Sequence, residues 1–159
     1  MSSNPIPGLA ISLQQASSSP PTITAIVTNK NSHPVTFAAY QSPFDSSIVQ
    51  LGITSITPDG ASAPIEYPTI MFGRMWPPPD QSIITIAPSA SMKKDIVLKD
   101  PPVPLEELGK KATVVLQGRW MGVWAKAKED VSKDDWAGNT DEESFSGEYT
   151  SDTLEITID

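Results

Sequence analysis

Proline spacing is the feature that most constrains how this chain folds. The sequence has 16 prolines in 159 residues, about twice the usual share, and only the stretch after Pro104 is long and proline-free. Proline removes a backbone donor and breaks the interior of a helix. Such spacing disfavours long helices and favours short strands separated by turns.

Apolar residues alternate with small or polar ones in several of these intervals. Leu9, Ile11 and Leu13 show this period of two, and so do the segments TITAIVTN, PVTFAAY and the closing TLEITI. A period of two is typical of a strand with one buried face. These four segments are therefore predicted to be strands of a sheet that covers a core.

Turn-forming residues connect further predicted strands. IVQLGITSI is predicted to be a strand that forms a hairpin with APIEY through the Pro-Asp-Gly turn at residues 58–60. SIITIAPSASMKKDIVLKD predicts a strand, a turn and a second strand, with Lys94 reaching the edge of an otherwise apolar face.

The part after Pro104 predicts one helical turn and one long strand. PLEEL is expected to form a single turn that ends at Gly109. The long run KATVVLQGRWMGVWAKA contains Gly118 and Gly122, which indicate a bulge or a close approach of backbone.

Together these segments predict an all-β fold, an antiparallel immunoglobulin-like β-sandwich of about eight or nine strands with at most one short helical turn. A single domain is expected over residues 1–159, with residues 1–8 as an extended N-terminal tail. Residues 128–148 contain 8 of the 19 acidic residues and few aliphatic ones. They are predicted to be a mobile, acidic insertion before the last strand.

Composition excludes several classes of function. The chain has no cysteine, a single histidine and a formal net charge of −8, which argues against disulfides, thiolate metal sites and a cysteine nucleophile. The acidic balance also disfavours binding to nucleic acid or to an anionic membrane. His33 lies in the turn NSHP and is interpreted as a turn residue. No metal site and no cofactor are predicted.

Motifs for catalysis are absent from the sequence. It contains no H-E-x-x-H, no G-x-S-x-G and no phosphate-binding glycine loop. A pair of carboxylates on a sandwich face is the one enzymatic class that stays open, and it predicts a pocket holding two acids, although no pair stands out. The sequence therefore predicts a protein that is not an enzyme, with a carboxylate-dependent enzyme as an alternative.

No segment is apolar enough over 18 residues to predict a membrane span. The N-terminal residues MSSNPIPG have neither the basic nor the apolar region of a secretory signal. The expected location is therefore cytoplasmic, or extracellular if the chain is a mature form with an added methionine.

Four tryptophans are the candidate binding residues. Trp120 and Trp124 lie four residues apart, and residues four apart on a regular strand share a face. Packing in the core is the preferred interpretation of this pair, and an exposed aromatic platform that stacks sugar rings or anchors a protein partner is the alternative. Trp76 precedes three prolines, and Trp136 lies in the acidic segment without apolar neighbours. Both are predicted to contact a partner or the rest of the domain.

The order of these segments resembles the propeptide domain of fungal deuterolysin-type zinc metalloproteases. The resemblance covers most of residues 9–158 and is carried by LAISLQQ, TITAIVTNKNSHPVTFAAYQSPFD, LGITSITPDGASAPIEY, TIAPSASMKKDIVLKD, GKKATVVLQG and SGEYTSDTLEITID. It implies an immunoglobulin-like sandwich that assists the folding of a protease or keeps it latent. The chain departs from the family in lacking the protease motif and in its added KEDVSKDDWAGNTDEE segment, so it is predicted to be a stand-alone relative.

Three functions are compatible with the sequence. The preferred prediction is a non-catalytic protein-binding sandwich, inhibitor-like or chaperone-like, whose partner is another protein, with a protease as one candidate, or a second copy of the chain. Edge strands and proline-rich loops would form the contact surface. The alternatives are a carbohydrate-binding module that holds a polysaccharide on Trp120 and Trp124, and the carboxylate-dependent enzyme.

Overall fold

The computed structural model describes residues 4–71, 73, 74, 76, 78–131 and 144–159. In this part of the chain there are nine strands in two antiparallel sheets, and the helical segments are all short 3-10 turns. The strands are β1 (Leu9–Ser18), β2 (Pro21–Asn29), β3 (Val35–Ala38), β4 (Thr54–Pro58), β5 (Ile83–Ile86), β6 (Ser91–Val97), β7 (Lys111–Trp124), β8 (Phe145–Thr150) and β9 (Leu154–Thr157). The predicted all-β sandwich is confirmed.

The two sheets differ in size. The smaller sheet has the order β1-β2-β6, and the larger one has the order β4-β7-β3-β5 with β8 and β9 also paired to β7. Strand β7 connects the larger sheet, because its first half pairs with β4 and β9 and its second half with β3 and β8. The length of the apolar run after Gly109 is what allows one strand to have four partners.

The core lies between the sheets, on the faces that the alternation predicts. Ile23, Ala25 and Val27 of β2 are fully buried, as are Val35 and Phe37 of β3. Burying apolar side chains is the main favourable contribution to folding, at roughly 25 cal/mol for each Å². No helix in the described part of the chain is long and apolar enough to cross a bilayer.

The predicted strand, turn and strand around residues 83–98 is confirmed, and the turn also changes sheets. Ala90 N donates to Ala87 O at 3.1 Å, and Ser89 adopts a positive φ of 64°. Strand β5 before this turn pairs with β3, whereas β6 after it pairs with β2. The turn therefore carries the chain from the edge of the larger sheet to the edge of the smaller one.

The strand prediction for IVQLGITSI is wrong in its first half. Leu51 N donates to Ser47 O at 2.9 Å and Gly52 has a φ of +81°, so the chain turns tightly here and β4 begins only at Thr54. Ile48 is buried by this turn structure. The apolar residues of this segment therefore reach the core from successive turns and not from one face of a strand.

The predicted hairpin is also wrong, although its turn forms. Ala61 N donates to Pro58 O at 3.0 Å, yet the following APIEY segment is not a strand. It covers the free side of β4 through a bond from Ile65 N to Ile56 O at 2.8 Å and one from the Tyr67 hydroxyl to Thr54 O at 2.7 Å. Strand β4 takes its strand partner from β7 instead.

The predicted tail and insertion both contain ordered structure. Ile6–Gly8 form a 3-10 turn next to β8, so the end of the tail is not extended. Phe145–Glu148, the last residues of the predicted insertion, belong to β8, whose alternation of Phe145, Gly147 and Tyr149 was obscured by the neighbouring acids. Residues 132–143, the middle of the insertion, lie outside the described residues.

The predicted helical turn is present as a 3-10 turn at Leu105–Leu108. It ends at Gly109, whose φ of +69° is a conformation that favours glycine. Further 3-10 turns occur at Ile6–Gly8, Asp80–Ser82 and Lys128–Asp130.

Candidate functional site

Trp120 and Trp124 are both buried, as the preferred interpretation of the sequence expects, and the alternative of an exposed aromatic platform is wrong. Their exposed fractions are 0% and 2%. The pairing of β7 with β8 shifts between Trp120 and Val123, and this bulge reverses the alternation of side chains. Trp120 therefore lies in the main core with Phe37, whereas Trp124 lies on the other face of the sheet with Ala38. Neither indole offers a surface on which a sugar ring can stack.

Of the three tryptophans in the described part of the chain, Trp76 is the one at the surface, with 43% of its area exposed. It borders a cleft of about 440 Å³ together with Leu51, Ile70, Met71 and Met121, which we call the apolar cleft. Ile70, Met71 and Met121 are also exposed, Met71 almost completely. Trp136 lies outside the described residues.

A ridge formed by Tyr40 and Arg74 borders the apolar cleft. The guanidinium carbon of Arg74 lies 4.7 Å from the centre of the Tyr40 ring, a cation–π arrangement, and the Tyr40 and Trp76 ring centres are 6.3 Å apart. On the other side of this ridge lies a second cleft of about 570 Å³. The two clefts thus share one wall.

A buried carboxylate holds the ridge in place. The Asp45 side chain is 3% exposed and forms a salt bridge with Arg74 at 3.1 Å. It also accepts hydrogen bonds from the backbone N–H of Gln41 at 2.7 Å and of Ser47 at 2.9 Å. Because Asp45 joins the turns after β3 to Arg74, it fixes the shape of both clefts.

Tyr149 anchors the same turns from the larger sheet. Its hydroxyl donates to Gln41 O at 2.6 Å. Burial raises the pKa of Tyr149 well above its usual value, and the negative charge of Asp45 raises it further. The neutral, donating phenol is therefore the form that the fold stabilises.

The close approach predicted at Gly118 is confirmed and gives a stability prediction. A Cβ at residue 118 would lie 2.6 Å from the Tyr149 hydroxyl and 3.1 Å from Gln41 O. We expect Gly118→Ala to lower the free energy of unfolding by about 1–3 kcal/mol, because the tyrosine must move. Gly147→Ala is the matched control in β8, since its nearest contact would be at 3.6 Å. Equal urea midpoints for the two variants would contradict this account.

The second cleft lies between the edges of the two sheets, and its lining mixes polar and apolar side chains. Ile84 of β5 borders it on one side, and Lys93 and Lys94 of β6 border it on the other. Lys94 reaches across with its ammonium group to donate to Phe44 O at 3.0 Å. This contact agrees with the prediction that Lys94 reaches an edge of the sheet.

Two aspartates border a smaller cleft of about 210 Å³ beside β6, the arrangement nearest to the predicted carboxylate pair. Asp45 is bound by Arg74 and two backbone amides. Asp95 accepts a bond of 2.6 Å from the Thr24 hydroxyl on the outer side of the smaller sheet. Both carboxylates are thus bound by groups of the fold itself.

Sequence reasoning missed most residues of the apolar cleft. Tyr40, Met71, Arg74 and Met121 come from three separate segments, and neither spacing nor alternation links them. The one signal in the sequence is the segment MFGRMW, whose apolar and cationic residues do not follow a strand pattern.

Comparison with known families agrees with this architecture. No curated protein matches the sequence. A sequence model for an immunoglobulin-like domain matches residues 8–158, which extends from just before β1 to just after β9. The chain therefore belongs to this family of immunoglobulin-like domains.

Proposed function

We propose that this domain is a non-catalytic protein-binding module and that its partner inserts an apolar side chain into the apolar cleft. The observation that supports this proposal is the concentration of exposed Ile70, Met71, Trp76 and Met121 around one concave site. Exposed apolar patches of this kind are typical of interaction sites on soluble proteins.

The composition of the cleft favours a protein as the partner. Methionine, tryptophan and arginine are enriched at protein interfaces, and flexible methionine side chains adapt to the shape of what binds them. The rim carries Gln41 and Arg74, and polar groups around an apolar centre are the usual arrangement of an energetically important contact. Because Asp45 already holds the Arg74 side chain in place, binding a partner loses little conformational entropy at this part of the rim.

The resemblance to metalloprotease propeptides supplies the finer proposal. A domain of this kind would act as an inhibitor-like or chaperone-like module toward a protease. The cleft would then receive an apolar side chain of the protease surface, and the immunoglobulin-like sheets would serve as the rigid support.

Capture from an extract of the native source tests the proposal. Wild-type protein is expected to retain a defined protein in stoichiometric amount, whereas a Trp76→Ala, Met121→Ser variant is expected to lose it. A Glu106→Ser variant, altered at an exposed residue away from the cleft, should retain it like the wild type. Equal retention by all three proteins, or no retained protein at any salt concentration, would contradict the proposal.

A further inference from the structure

The outer edge of β6 is open. Strand β6 is the last strand of the smaller sheet in the described part of the chain, and all of its residues except Ile96 are exposed. An unpaired strand edge presents N–H and C=O groups that another strand can bind.

The register with β2 shows which groups face outward. Leu98 N donates to Pro21 O, and Asn29 N donates to Ala90 O, both at 2.9 Å, so the even-numbered residues point their backbone groups toward β2. No register shift interrupts this pairing. Because these groups alternate along an antiparallel strand, those of Ser91, Lys93, Asp95 and Val97 point away from the sheet.

We propose that this edge binds β6 of a second copy of the chain, in antiparallel register about a two-fold axis at Lys94. Lys93 then lies opposite Asp95 of the second copy, and Ser91 lies opposite Val97. Each of these pairs consists of residues whose backbone groups face outward, so both hydrogen bonds of each pair can form.

Charge selects this register over its neighbours. Centring the axis at Lys94 creates two Lys93–Asp95 contacts between opposite charges. Like charges directly opposite one another are destabilising, and each register has one such pair: Lys94 in the chosen register, and Lys93 or Asp95 when the axis moves by one residue. Moving the axis removes both Lys93–Asp95 contacts and also shortens the overlap of the two strands. The chosen register is thus the one with the longest overlap and with two contacts between opposite charges.

The inner side of β6 also accommodates this pairing. Met92 and Lys94 point to the same side as buried Ile96, yet both are exposed, so the larger sheet leaves this end of the strand uncovered. In the proposed register Met92 meets Ile96 of the second copy. The two Lys94 residues would be opposite each other, but each ammonium group is held by Phe44 O of its own chain.

The other edge of the smaller sheet is already occupied, which limits assembly to a dimer. Asp152 N donates to Ile11 O and Asp159 N donates to Ser18 O, both at 3.2 Å. The Gln15 side chain bonds the backbone of Thr157 in both directions. Within the described residues, pairing through β6 therefore uses the one open edge of this sheet, and it gives a closed, two-fold symmetric assembly.

Single cysteines test the register directly, because the chain has no cysteine of its own. Residues 94 of the two copies form a pair without mutual backbone bonds, with Cα atoms about 4.5 Å apart, within the range of a disulfide. Lys94→Cys is therefore expected to form a covalent dimer on mild oxidation. In Met92→Cys the two cysteines would be displaced by about 13 Å along the strands, and this variant should stay uncrosslinked. Equal crosslinking of both variants, or of neither, would overturn the proposal.

Charge exchange tests the same contact without covalent chemistry. In sedimentation equilibrium, Lys93→Glu is expected to raise the dissociation constant of the dimer about tenfold or more. The double exchange Lys93→Asp, Asp95→Lys should restore dimerisation, since opposite charges again face each other. A monomeric wild type, or a dimer that Lys93→Glu leaves unchanged, would refute it. The cleft variant Trp76→Ala, Met121→Ser should dimerise like the wild type. Loss of the dimer therefore bears on β6 pairing alone, and loss of partner binding bears on the proposed function alone.

Discussion

Replacing Trp120 with alanine is expected to lower the free energy of unfolding by about 3–5 kcal/mol. Its indole is fully buried, packs edge-on against Phe37 at 4.8 Å between ring centres and contacts the ring of Tyr149 at 5.1 Å. Truncation would leave a cavity between the two sheets and loosen Tyr149, which anchors the turns after β3.

Urea denaturation of Trp120→Ala beside Trp76→Ala measures this difference. Both variants remove the same side chain, but Trp76 is 43% exposed and borders the apolar cleft, so its loss should cost about 1 kcal/mol or less. Similar losses of stability in the two variants would contradict the assignment of Trp120 to the core and Trp76 to the surface.

Replacing Asp45 with alanine is expected to cost a comparable amount, about 3–5 kcal/mol. The backbone amides of Gln41 and Ser47 would lose their acceptor, and the Arg74 guanidinium would lose its buried counter-charge.

Asp159→Ala is the matched control for Asp45→Ala. The Asp159 carboxylate is exposed, lies away from β6 and accepts one bond from the Ser18 hydroxyl at 2.7 Å, so its removal should change the free energy of unfolding by about 0.5 kcal/mol. In chemical denaturation, a loss of less than about 1 kcal/mol for Asp45→Ala would show that the carboxylate does not hold the turns around the two clefts.

The strands with a clear period of two could be predicted from the sequence. The alternation of Ile23, Ala25 and Val27 identified both the strand and its buried face, because a strand with one covered face must alternate. The same rule failed at Trp120 and Trp124, since the bulge between them inserts one residue and places the two indoles on opposite faces. Gly122 signalled an irregularity there but not its effect on the neighbouring side chains.

Tertiary partners decided the remaining differences. The apolar residues Val49, Leu51 and Ile53 match a strand pattern, yet the segment forms tight turns before β4, closed by the bonds from Leu51 N to Ser47 O and from Gly52 N to Val49 O. Strand β8 was hidden by the density of acidic residues around it. Local patterns do not contain this information, since pairing depends on segments far apart in sequence.

The apolar cleft was the least predictable part of the molecule. Trp76 is a candidate from the sequence, but Met71 and Met121 become part of a candidate site only because the fold brings their segments together around one cleft. Exposure of a large apolar side chain is a property of the folded chain. The sequence alone offers no rule that separates Trp76 at the surface from Trp120 in the core.

The affinity of the captured partner for wild type and for Trp76→Ala, Met121→Ser tests the central claim most directly. If the apolar cleft is the docking surface, calorimetric titration should show the variant binding at least about tenfold more weakly, while its urea midpoint stays near that of the wild type. A dissociation constant unchanged by the two substitutions would contradict the claim.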